Sequence, residues 1–368
     1  MSGMPKWADV VLVPLVSLLL AGIISILVFV AVGQNPWEAL QQMVEGAFGS
    51  SNNIGYTLFY ATNFTFTGLA VAVAFHGALF NIGGEGQALL GGLGVAVACL
   101  VIPWPHWSLA LVAAVAMSAA FGALWVSVPA YLQARRGSHI VITTIMFNGM
   151  ASGLLIYMLN NVLRPEGAMQ VASDVFPQAT HIPSLNDIAQ AFGSNAFGTS
   201  PANITLFLAI AACVGVWALI WRTRLGYEIR AFGKSQPAAR YAGIDATRIT
   251  MIALLISGGL AGMMAVNNTL GANTPQLVDN AAGGAGFIGI AVALMGRNHP
   301  VGIALAALLF GALFQGGSEL ASDTNVPVQI VIVIQALVVM FTGALDNMVR
   351  KPLEGLFAQV RRGARSEA

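Results

Sequence analysis

The sequence predicts an all-α integral membrane protein of about ten transmembrane helices, arranged as two inverted five-helix halves with both termini cytoplasmic. Three observations carry that expectation: the composition, the length of the apolar runs, and the one-sided placement of Lys and Arg. Apolar residues make up 57% of the chain and charged residues only 8%, too few ionic groups to cover a water-facing surface. The apolar runs are about 20 residues long, enough to cross a hydrocarbon core as helices. Stretches such as Val331–Val339 do not alternate apolar with polar, which excludes the strands of a transmembrane barrel.

Taken in order, the predicted crossings lie near Val10–Val32, Thr57–Phe75, Ile82–Ile102, Trp107–Leu132, Ile140–Leu159, Ile204–Trp221, Thr250–Leu270, Ala281–Gly296, Val301–Gly317 and Val328–Leu345. With the N-terminus inside, these place Lys6, Arg135, Arg136, the basic residues from Arg222 to Arg248, Arg297 and the basic C-terminus in the cytoplasm. Only Arg164 then lies outside, as the preference of Lys and Arg for cytoplasmic loops requires. The run Ala281–Gly296 is short enough for a re-entrant segment. Treating it as one would export Arg297 and the basic C-terminus, so a crossing is expected.

The chain reads as a single membrane domain, residues 1–368, with halves 1–160 and 203–346, an external loop 160–202, a cytoplasmic loop 222–249 and a cytoplasmic tail 347–368. Five helices per half is an odd number, so the halves run in opposite directions. In transporters built this way the solute meets the protein where broken, glycine-interrupted helices of the two halves come together. Two such segments stand at matching places: Phe80-Asn81-Ile82-Gly83-Gly84-Glu85-Gly86-Gln87 and Gly283-Gly284-Ala285-Gly286-Phe287-Ile288-Gly289.

These segments supply the candidate solute pathway: Asn81, Glu85, Gln87 and Gly286, joined by Phe147, Asn148, Asn267 and Asn268 inside other runs. An acid within a span is costly and often functional. The expected topology, however, puts Glu85 in the first turn of its helix near the cytoplasm, where the helix dipole alone would stabilise it. Each amide could hydrogen-bond a solute or bridge two helices, and the glycines could line a path or serve as plain packing contacts.

The loop 222–249 carries Gly226, Arg230, Gly233, Pro237, Ala238, Ala239, Tyr241 and Gly243. Ser235 is suited to cap a helix, Pro237 to its first turn and Gly243 to its end, so a short exposed helix is expected there. Such a helix is shaped to dock into another protein, Ala238 and Ala239 being small enough to enter a groove; the alternative is an amphipathic helix resting on the membrane. Gly-Lys-Ser at 233–235 is not a phosphate loop, because position 228 is Glu where that motif needs Gly. No other segment supplies a nucleotide site, nor are there paired carboxylates, a His cluster or an activated nucleophile for an enzyme. Cys99 and Cys213 lie within apolar runs without metal-site spacing, and a net charge of +1 with no dense basic tract excludes nucleic acid as a partner.

The loop from Gly226 to Ile244 resembles the coupling segment of ATP-binding-cassette import permeases for branched-chain amino acids, simple sugars and nucleosides. Residues 80–87, and Gly286-Phe287-Ile288-Gly289-Ile290-Ala291-Val292-Ala293-Leu294-Met295-Gly296 followed by His299-Pro300, resemble the nucleoside (BMP-type) branch of that family. The resemblance implies a multi-pass permease of the bacterial inner membrane, without a catalytic site or cofactor of its own. It also implies three partners: a cytoplasmic ATPase that uses ATP and Mg, a second similar permease subunit, and an extracytoplasmic solute-binding protein. The solute is expected to be a nucleoside or related small polar molecule. A ribose-type sugar importer and an ion-coupled secondary carrier are the alternatives.

Overall fold

The computed structural model describes residues 12–323 apart from positions 32, 34 and 195, together with residues 332–334, 336, 337 and 340. The expected tenth crossing, Val328–Leu345, lies largely outside the described residues. Among the described residues there is no strand, only isolated bridges between Ala172 and Val278 and between Ser184 and Asn203.

The helices are α1 (Val13–Ala31), α2 (Pro36–Phe48), α3 (Ser51–His76), α4 (Gly84–Val101), α5 (Trp107–Tyr131), α6 (Ile140–Met158) and α7 (Leu185–Ala191). They continue with α8 (Thr205–Arg222), α9 (Arg224–Lys234), α10 (Gln236–Tyr241), α11 (Ala246–Leu270), α12 (Ala285–Met295) and α13 (Pro300–Asp323). Seven are long and apolar enough to cross a membrane among the described residues: α3, α4, α5, α6, α8, α11 and α13. The bent pair Gly22–Ala31 with Pro36–Phe48 makes an eighth if it is a single span.

The chain divides into two compact units, residues 48–312 and residues 1–47 with 313–368, so α13 begins in the first and ends in the second. In the smaller unit Phe29, Ala39, Met43, Leu320 and Ile334 form an apolar cluster. In the larger unit α11 packs on α3, α4 and α5. Backbones meet closely there because small residues line the seam: a Cβ on Gly262 would stand 2.3 Å from the Ser118 carbonyl oxygen, and one on Gly122 2.3 Å from that of Gly258.

Two helices differ from the sequence expectation in a way that positions the site. The run Ala281–Gly296 is not a full-length helix. Gly283 and Gly284 sit at φ +56° and +82°, and only Ala285–Met295 is helical, eleven residues. At 1.5 Å per residue that is about 16 Å, roughly half of a hydrocarbon core. The second case is the start of α4, which lies part-way along the neighbouring spans rather than level with their ends. After α3 ends at His76 the chain turns back, and the Asn81 Nδ2 donates to Ser257 Oγ (2.9 Å), whose own proton goes to the Ala70 carbonyl (2.7 Å). Ser257 lies eleven residues into α11, about 16 Å along it.

The segment between α6 and α8 is ordered by backbone pairing. Ser173 N–H donates to the Leu277 carbonyl (2.9 Å) and Phe176 N–H to that of Pro275 (2.8 Å). Ser184 and Asp187 form a capping box on α7.

Candidate functional site

The two glycine-rich segments meet. Glu85 projects from the first turn of α4 to the N-terminus of α12: Gly284 N–H donates to Oε1 (2.8 Å) and Gly286 N–H to Oε2 (2.9 Å). A carboxylate at this point faces the positive ends of two helix dipoles at once, a favourable placement for negative charge. The contact depends on the absence of a side chain at Gly286, since a Cβ there would stand 2.2 Å from the Glu85 nitrogen. Thr67 of α3 presses on Gly289 in the same manner, so α12 is wedged between α3 and α4.

Further donors around the break are also filled from within the chain. Asn81 Oδ1 accepts from Gly83 N–H (2.9 Å), and Asn81 and Gln87 exchange amide hydrogen bonds in both directions at 3.0 Å. Asn148 reaches across from α6, accepting from Gly86 N–H (2.9 Å) and donating to the Ile82 carbonyl (3.0 Å). Phe147, its neighbour, is half-buried and turns towards Trp125, with ring centroids 5.4 Å apart.

Asn267 and Asn268 belong to a second network, separate from the break. Asn267 Nδ2 donates to the Phe59 carbonyl (3.0 Å) and to Asn63 Oδ1 (2.8 Å), while its Oδ1 accepts from Asn203 (2.8 Å) and Thr205 (2.7 Å). Asn268 accepts from Asn63 (2.7 Å) and donates to the Ala281 carbonyl (2.5 Å). The amides thus tie α3, the start of α8, α11 and the approach to α12. Asn63 and Asn203 each head an Asn-x-Thr triplet, a pattern that marks a glycosylation acceptor and says nothing of helix bracing, and Ser257 stands in no motif. For the bracing role their signal is only a polar residue within, or at the edge of, an apolar run.

On the loop 222–249 the expected short helix is α10, with Ser235 capping it by accepting from Ala238 N–H (3.4 Å) and Gly243 ending the turn at φ +81°. Ala239 presents little surface, 3% exposed, at the inner side of the groove between α9 and α10. It is buried among Leu79, Ala130, Ile229 and Phe232 of its own chain, because a six-residue helix lying on α9 must bury one side. Tyr241 is 98% exposed and Tyr227 62% exposed. Together with Arg224, Glu228, Ala238 and Ala242, Tyr227 lines a groove of about 400 Å³ between α9 and α10. Gly226 and Gly233 are packing residues in this arrangement: a Cβ would stand 2.1 Å from the Leu219 and His76 carbonyl oxygens respectively. Arg230 is half-buried beside them, and Pro237 occupies the first turn of α10.

Histidines scattered in the sequence also converge. The Trp221 ring lies 5.2 Å from that of His76 and 5.1 Å from that of His299, and His76 Nε2 is 3.1 Å from the Asn298 carbonyl oxygen. This cluster joins the ends of α3, α8 and the turn before α13, where Arg297 and Asn298 adopt positive φ.

Similarity to known proteins decides what kind of membrane protein carries these features. The model of the family described as branched-chain amino acid transport system / permease component matches residues 53–345. The chain belongs to that permease family. The permease is 33% identical, over 93% of its own length and 95% of the relative's, to the guanosine ABC transporter permease protein NupP of Bacillus subtilis. It is 33% identical to the nucleoside ABC transporter permease protein NupB of Lactococcus lactis, over 90% of each chain. It is also 31% identical, over 89% of its length and 86% of the relative's, to a glucose ABC transporter permease protein of Haloferax volcanii. No solved structure matches the permease.

Proposed function

We propose that this permease is the membrane-spanning subunit of a nucleoside importer driven by ATP hydrolysis in a partner. The observation that carries the reading is the 33% identity to a guanosine permease along nearly the whole of both chains. The groove between α9 and α10 supports it, since an exposed docking surface on a short loop is what a subunit moved by a separate ATPase requires. The fuller arrangement has ten crossings in two inverted halves, both termini in the cytoplasm and the bacterial inner membrane as the location. It includes a cytoplasmic ATPase, a second permease subunit and an external solute-binding protein. The matches to a second kind of nucleoside permease, such as NupC of Lactococcus lactis at 27% identity over 69% of this chain, favour a heteromeric pair.

In this reading the amides Asn81, Gln87, Asn148, Asn267 and Asn268 brace helices, because their hydrogen bonds are made to the protein. Tyr241 and the groove beside it receive the ATPase. The test is reconstitution of the permease with its co-isolated subunits in liposomes. Guanosine or adenosine should stimulate ATP hydrolysis and accumulate inside, with no imposed ion gradient. Accumulation that follows an ion gradient without ATP overturns the reading in favour of a secondary carrier. The similarity to a glucose permease supports a sugar importer as the second reading, and glucose or ribose stimulating where nucleosides do not would establish it.

A further inference from the structure

Glu85 is less buried than its neighbours on α4. Gly83, Gly84, Gly86 and Gln87 are buried, whereas Glu85 itself is only half-buried, part-way along the neighbouring spans. Its partners are two backbone N–H groups, and among the described residues no Lys, Arg or His contacts it. Each carboxylate oxygen accepts one hydrogen bond and keeps further acceptor capacity. A charged group that is open at this depth does not face lipid chains; it faces water, a partner or a solute. The residue that follows Gly286 on α12 is Phe287, 48% exposed, and Gly283 before it is exposed as well.

We propose that Glu85 and Phe287 form a solute-contact site in the translocation path, selective for neutral molecules that combine a planar ring with hydrogen-bond donors. The inference rests on the nucleoside reading above and names what recognises the nucleoside. The Phe287 ring offers a face on which a base stacks. The free acceptor capacity of Glu85 takes ribose hydroxyls or base N–H groups. The same carboxylate, with no Lys or Arg beside it among the described residues, repels phosphate-bearing solutes, so a nucleotide is refused where its nucleoside passes. The helix N-termini at the break do not hold an anionic solute, because Glu85, Asn81 and Asn148 already accept from Gly83, Gly84's neighbour Gly86, Gly284 and Gly286.

The experiment uses the complete transporter in proteoliposomes, with Cys99→Ala and Cys213→Ala replacing the two native thiols. Phe287→Cys is introduced and exposed to a membrane-impermeant, water-soluble methanethiosulfonate reagent. Val214→Cys, on an exposed apolar face of α8, is the lipid control. We expect Phe287→Cys to react at least tenfold faster than Val214→Cys, and saturating adenosine, but not AMP, to slow it at least threefold. Reaction no faster than the control places Phe287 against lipid and overturns the proposal. Fast reaction unaffected by adenosine, guanosine and uridine overturns it too, since the site would then be wet but not a contact. Equal protection by AMP removes the selectivity assigned to Glu85 and counts against the proposal. Nucleoside uptake by the unsubstituted transporter in the same liposomes reports separately on the importer reading.

Discussion

Glu85 and Gly286 hold each other in two ways: the glycine N–H donates to the Glu85 Oε2 at 2.9 Å, and the glycine's bare Cα lets the two backbones touch. One residue supplies the acceptor and the other the space. Gly286→Ala should therefore destabilise the fold even though the change is a single methyl. Overpacking of this kind costs about 1–3 kcal/mol. Thermal unfolding of the purified permease in detergent checks this, with Gly149→Ala as the comparison; Gly149 has nothing within 4 Å of its Cβ position, and that variant should unfold like the parent.

Glu85→Gln keeps the shape of the clasp but presents an amide NH₂ to one of two N–H donors. A buried donor left without an acceptor costs about 1–3 kcal/mol. The variant should unfold at a lower temperature than the parent, and Glu85→Ala, which leaves both donors unmatched, lower still. Equal unfolding temperatures for all three would remove the clasp from the account of stability.

Asn267→Ala removes four hydrogen bonds made to Phe59, Asn63, Asn203 and Thr205. Leucine would not rescue it, because the partners remain polar and enclosed. The expected loss exceeds that of Asn268→Ala, whose two bonds go to Asn63 and Ala281. Paired denaturation curves in mixed micelles decide the order.

The docking surface and the internal face of α10 should respond oppositely to mutation. Tyr241→Ala should leave the permease's own unfolding temperature unchanged and reduce recovery of the ATPase on co-isolation by about tenfold, the order of one lost aromatic anchor at an interface. Ala239→Arg should instead lower stability, because Ala239 lies against Ile229 and Phe232 inside the chain. Full ATPase recovery with Tyr241→Ala would move the docking site away from this groove.

Sidedness is open to direct labelling. Phe192, 86% exposed on the segment between α6 and α8, and Tyr241 are both accessible positions between spans. In intact cells of the thiol-free background, Phe192→Cys should react with an impermeant maleimide and Tyr241→Cys only after permeabilisation. Labelling of both from the same side ends the proposed topology.

Much of this molecule is visible in its sequence, for identifiable reasons. The spans α3, α5, α6, α8 and α11 coincide closely with apolar runs, since each is a continuous helix whose length sets its own limits. Ser235, Pro237 and Gly243 mark α10 because caps act locally. Depth is what hydropathy does not record. The Glu85 helix looks like one entering from the cytoplasm until the chain between His76 and Asn81 is seen to turn back into the bundle. Likewise the Ala281–Gly296 run contains enough apolar residues for a crossing, but Gly283 and Gly284 divide it by backbone conformation. The amide network joins residues about two hundred positions apart, which no local pattern encodes. Six residues of α10 are too few to show by periodicity which alanine faces inward.

The segment between α6 and α8 is attached to the body of the protein by main-chain hydrogen bonds from Ser173 and Phe176 and closed on itself by Leu185 N–H to the Ala202 carbonyl at 2.8 Å, with no ion pair in that segment among its described residues. High salt therefore has little purchase on it. The covalent thread through Gly193 and Ser194, exposed at its tip, carries none of those bonds. A gene split at that point yields two polypeptides that retain every one of them, and co-expressed, the pair should reassemble without the peptide link.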